Sequence, residues 1–70
     1  MDIRIRIGQR LKELRTNLKL TQEALAFKAE VDKTYLNEVE NGKRNVSVVN
    51  LEKIIRALNV SFEEYFKGIE

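Results

Sequence analysis

The sequence predicts an all-α fold, a compact five-helix bundle forming one domain over residues 1–70. Three observations carry that expectation. Proline is absent, so no segment is barred from a helix interior. Apolar residues recur three and four positions apart nearly throughout, as in helices that bury one face. The same helix-start signal also appears four times.

The first helix is predicted from about Arg4 to Leu18, on Ile7, Leu11, Leu14 and Leu18 at helical spacing. Its opening IRIRI, residues 3–7, alternates as a strand would. Nothing else in the chain alternates, so such a strand could pair only across a dimer. The next four helices each start with an apolar residue, a capping oxygen and an apolar N4 residue. These are Leu20-Thr21 before Leu25, Val31-Asp32 before Leu36, Val46-Ser47 before Leu51, and Val60-Ser61 before Tyr65. The pattern is the hydrophobic staple, and Ser61 with Glu64 also forms a capping-box sequence. Gly42, Asn59 and Gly68 sit where left-handed residues end helices. The predicted ranges are 21–29, 33–41, 47–58 and 61–67, with Leu51, Ile54, Ile55 and Leu58 as the core stripe of the fourth helix.

Seventy residues lie near the lower limit for folding without staples. Cysteine and histidine are both absent, which excludes disulfides, zinc fingers, Cys or His nucleophiles and a histidine base. No phosphate loop or metal cluster is visible, so neither an enzyme nor a cofactor is expected. No apolar run approaches the ~20 residues of a membrane span, and no signal-peptide pattern opens the chain. A soluble cytoplasmic protein is expected. The net charge is +2 and the pI about 9.1, which permits polyanion binding without demanding it. Positive charge gathers before residue 47: residues 1–46 hold ten Lys/Arg against seven Asp/Glu.

Between the second and third helices lie only Glu30, Val31 and Asp32. A connection that short forces a steep crossing, and Ala26 and Ala29 let the backbones approach. This is helix-turn-helix geometry, whose second helix enters the DNA major groove. The third helix turns Leu36 and Val39 inward and Thr34, Asn37, Glu38 and Asn41 outward. Lys33 suits guanine O6 and N7, Asn37 suits adenine, Glu38 can accept from cytosine N4, and Thr34 can bond either way. A merely solvated polar face is the competing reading, with Lys43 and Arg44 only offsetting the helix dipole.

The stretch LTQEALAFKAEVDKTYLNEVENGKR, preceded by IGQRLKELR and followed by LEKIIRALNVS, resembles the phage-repressor (Cro and repressor, or XRE) type of helix-turn-helix protein. The resemblance covers about residues 7–66, and within the family the wording looks closest to restriction–modification controller proteins. It implies a regulator of transcription that binds palindromic double-stranded operator DNA as a homodimer. It also implies base reading by Lys33, Thr34, Asn37 and Glu38. Thr21, Gln22, Tyr35, Asn41, Lys43, Arg44 and Asn45 would contact the DNA backbone. No small-molecule effector is expected without a second domain.

Glu40 lies beside Leu36 and Val39, so it faces inward and needs a partner. Arg15, among Leu11, Leu14 and Leu18, is the natural candidate, and the family carries an Arg–Glu pair at these places. Three residues depart from the family pattern. Glu30 and Lys19 replace glycines at helix ends, and Ala24 replaces a capping-box glutamate. In the last helix Phe66 is expected to close the core, with Phe62, Tyr65 and Ile69 at a dimer interface against the segment after Asn45. Four large apolar groups exceed what one short helix can bury in so small a domain. The alternative function is a protein-interaction module, such as the antitoxin of a toxin–antitoxin pair.

Overall fold

The computed structural model describes residues 2–69. Five helices follow one another: α1 (Ile3–Asn17), α2 (Gln22–Ala29), α3 (Lys33–Glu40), α4 (Val48–Ala57) and α5 (Phe62–Lys67). No strand occurs among the described residues, and IRIRI is the first turn and a half of α1. Asp2 starts that helix by accepting from the Arg4 backbone N–H at 2.9 Å. The Arg4 side chain bonds the same carboxylate and holds its pKa down at about 2.

The four predicted caps all form. Thr21 accepts from Ala24 N at 3.0 Å, Asp32 from Thr34 N at 2.9 Å, Ser47 from Asn50 N at 3.0 Å and Ser61 from Glu64 N at 3.0 Å. Each satisfies a backbone N–H that the first helical turn leaves without a partner. Several predicted bounds include such a half-in flanking residue, and the observed helices are shorter by that much. Behind the caps, Leu20, Val31, Val46 and Val60 pack on the core as staples do.

Lys19 (φ 60°), Glu30 (φ 59°), Asn59 (φ 61°) and Gly42 (φ 71°) adopt the left-handed conformation that ends a helix. Gly68 does not, since its φ is −87°. A Cβ there would come within 2.7 Å of the Arg10 guanidinium, which would have to shift to admit it. Arg10 donates to Tyr65 O at 2.8 Å and Glu64 O at 2.6 Å, taking up carbonyls at the end of α5. A side chain from α1 thus does what a left-handed residue was expected to do.

Helix α1 packs on α3, and α2 packs on both α3 and α4. Leu11, Leu25, Leu36, Val39, Ile54, Ile55, Leu58 and Tyr65 form the fully buried centre. Gly8 brings α1 onto the end of α3 so closely that a Cβ would sit 2.3 Å from Val39 O.

The last helix reverses two expectations. Tyr65, predicted at a subunit boundary, is fully buried and donates its hydroxyl to Ile7 O at 2.8 Å. Phe66, predicted to close the core, is 38% exposed. The staple explains the exchange, because Tyr65 is the N4 residue behind Ser61 and N4 turns inward. Ile69, also predicted at the boundary, is half-buried against the core. Of the three, only Phe62 stands out from the surface, together with Val48 and Val49 at the start of α4.

Candidate nucleic-acid interface

The tight α2–α3 junction sets how α3 is presented. Glu30 turns the chain in the left-handed conformation, and Asp32 caps α3 through Thr34 N and Tyr35 N. Leu36, Val39 and Glu40 are buried beneath. On the outer side Lys33, Thr34, Asn37 and Asn41 are exposed and Glu38 is half-exposed.

A polar network reaches that surface from the interior. Arg15 meets Glu40 twice, Nε to Oε2 at 2.5 Å and Nη2 to Oε1 at 3.1 Å. Gln22 donates to Glu40 Oε1 at 3.0 Å and accepts from Asn37 Nδ2 at 3.1 Å. Asn41 then donates to Asn37 O at 2.9 Å and Oδ1 at 3.3 Å. Buried polar groups of this kind are favourable only when all are satisfied, and no described buried side-chain N or O lacks a partner. The amide of Asn37 is therefore held at both ends by its neighbours. Gln22, expected on a phosphate, has its amide fixed at both ends inside the protein.

A second cluster forms around Tyr35 and Glu38 of α3. Arg44, in the loop after α3, pairs with Glu38 at 2.7 Å and lies over the Tyr35 ring, 5.0 Å from its centre. The Tyr35 hydroxyl accepts from Asn50 Nδ2 at 3.2 Å, which ties the ring to α4. Sequence reasoning missed Asn50, because no local pattern marks a side chain that acts fifteen residues away. Lys43 and Asn45 project from the same loop, and Thr21 caps α2, all three exposed. The structure brings Lys33, Thr34, Asn37 and Glu38, the residues expected to read bases, together on α3 and places Lys43, Arg44 and Asn45 beyond its C-terminal end. Among the described residues no group of acids and histidines could hold a metal, and no helix is long and apolar enough to cross a membrane.

A short tight turn, a supported second helix and an outward polar edge flanked by cations define the helix-turn-helix class. Residues 11–65 match the helix-turn-helix family HTH_3, and the chain belongs to that family. It is similar to the control protein C.MunI of a Mycoplasma species, with 50% identity over 70 residues, covering 99% of this chain and 95% of that one. Among solved structures it is similar to the restriction–modification controller protein C.AhdI of Aeromonas hydrophila. That match has a TM-score of 0.89 and 45% identity, over 94% of this chain and all of the other. It is also similar to the controller protein C.Esp1396I, solved as a tetramer in complex with its natural 35-base-pair operator. There the TM-score is 0.90 and the identity 31%, over 96% of this chain and 88% of that one.

Proposed function

We infer that this chain is a transcriptional regulator of the restriction–modification controller type, acting on double-stranded DNA in the cytoplasm without enzymatic activity. Helix α3 lies in the major groove, and a homodimer reads a palindromic operator. The observation that carries this reading is the outward edge of α3, where Asn37 is held by Gln22 at 3.1 Å and Gln22 by the buried Glu40. A solvated face with no task needs no such support. Lys33, Thr34, Asn37 and Glu38 read bases, and Lys43, Arg44 and Asn45 take phosphates beyond the helix end. Thr21 at the start of α2 faces the opposite flank of the groove, where a helix N-terminus favours anions.

The dimer contact uses the exposed apolar groups Phe62, Val48 and Val49. Its two-fold symmetry puts the two α3 helices about one DNA turn apart, roughly 34 Å. Selection of bound duplexes from random DNA tests the whole reading. Two inverted half-sites at one-turn spacing are expected, and recovery of unrelated sequences would refute it. An interaction module would instead bind through apolar docking, with little response to salt, whereas operator affinity falls steeply as salt rises.

A further inference from the structure

Glu38 and Arg44 occupy one another at 2.7 Å, although both stand among the residues that face DNA. A carboxylate brought against a duplex meets repulsion from phosphates and loses water. It needs a donor, and in the major groove only the amino groups of cytosine and adenine supply one. Arg44 supplies a donor from within the protein. Glu38 therefore has two mutually exclusive partners, a base amino group or the guanidinium of Arg44. Arg44 has two as well, Glu38 or a phosphate.

The surroundings make the exchange easy. The pair is open to water, with the two side chains 52% and 38% exposed. An ion pair so exposed is weak, and breaking it changes an equilibrium only a few-fold. Arg44 also rests on the face of Tyr35, whose hydroxyl is held by Asn50 at 3.2 Å. That ring gives the guanidinium a fixed surface to lie on when Glu38 lets go, so its release does not cost a disordered side chain.

Resting on the operator-binding reading above, we propose that the Glu38–Arg44 pair is a partner-exchange check on sequence. On a wrong duplex Arg44 stays on Glu38, masking the carboxylate and withholding one cation from the backbone. On the right duplex a base amino group replaces Arg44, which then binds phosphate. Base recognition by Glu38 is thereby coupled to one additional backbone contact in each subunit.

Counterion release makes this measurable. Each added cation–phosphate contact steepens the dependence of log K on log salt by about 0.9, or about 1.8 for a dimer. Between 50 and 200 mM salt the selected duplex should thus lose about tenfold more affinity than a duplex with both half-sites scrambled. Glu38→Gln keeps the size and an acceptor but frees Arg44 on every sequence. Its scrambled-duplex slope should rise to that of the selected duplex, and affinity for scrambled DNA should rise with it. Glu38→Gln with Arg44→Gln should remove the slope difference. Circular dichroism of each variant reports that the exposed changes leave the fold intact. Equal slopes in the wild-type protein, with sequence preference retained, overturn the exchange and leave operator binding standing. No preference for any duplex overturns both.

Discussion

Arg15 of α1 and Glu40 at the end of α3 form a two-pronged ion pair, at 2.5 and 3.1 Å, with the two side chains only 11% and 2% exposed. The same guanidinium donates to Leu20 O at 2.7 Å, and the same carboxylate accepts from Gln22. One pair thus closes the end of α1, seats α3 and, through Gln22, supports the outward edge of α3 at Asn37.

Removing one partner strands the other charge in the interior. Arg15→Ala should cost about 3 kcal/mol, the usual penalty for breaking a buried pair. For a domain of this size that lowers the melting temperature by more than about 10 °C. Lys12→Ala, on the exposed side of the same helix, should stay within about 0.5 kcal/mol of the parent. Thermal unfolding of both variants decides it, and equal melting points would deny the pair its structural role.

Glu30 holds a left-handed backbone at φ 59° with a full side chain. A Cβ in that conformation costs on the order of 1 kcal/mol, partly offset by the greater chain entropy of glycine when unfolded. Glu30→Gly should raise stability by about 0.5 kcal/mol with no change in helix content. A lower denaturant midpoint for the glycine variant would contradict this account of the turn.

Burial keeps the Tyr65 phenol protonated in the folded chain well above its usual range. Below pH about 10 the folded and unfolded chains both carry that proton, and the contribution is constant. Above it the unfolded chain releases the proton first, so stability falls as pH rises toward the folded-state value. Tyr65→Phe should cost about 1 kcal/mol at neutral pH through the lost bond to Ile7 O. It should also flatten the alkaline decline. Urea midpoints measured from pH about 7 to about 11 test both parts, and parallel declines would remove Tyr65 as their source.

Asn50 holds Tyr35 from α4 at 3.2 Å. Asn50→Ala should weaken binding of the selected duplex several-fold, about 1 kcal/mol, while the melting temperature stays close to the parent. Tyr35→Phe removes the same bond, so the double variant should be no weaker than the worse single one. Additive losses would show that the two side chains act separately.

Phe62 is 46% exposed on α5, and Val49 is 63% exposed at the start of α4. Phe62→Asp places a charge in the inferred apolar contact, where it has no partner. Sedimentation should then report a monomer at concentrations where the parent is a dimer, with helix content retained. A variant that remains dimeric would move the interface elsewhere.

Helix starts were the most legible feature of the sequence, because a cap and its staple act within a few residues of each other. Thr21, Asp32, Ser47 and Ser61 could all be read directly. Tyr65 and Phe66 could not be assigned from composition, since adjacent aromatic residues differ only in which way the helix turns them. The staple rule held the answer, for Tyr65 follows Ser61 by the same four residues that bury Leu25 and Leu36 behind Thr21 and Asp32. The internal bonds of Arg10, Gln22 and Asn50 were illegible for a different reason. Each depends on a partner fifteen or more residues distant, which only the assembled bundle brings near.

Gly8 leaves no room for even one methyl group between α1 and the carbonyls of Val39 and Glu40. The tilt of α3 is consequently fixed by main chain resting on main chain, and outward-pointing residues have no say in it. Lys33 and Thr34, inferred to read bases, can be exchanged like type in a printing frame while the frame keeps its alignment. Grafting those two letters from a relative should transfer target preference without retuning the scaffold, whereas enlarging residue 8 should blur every letter at once.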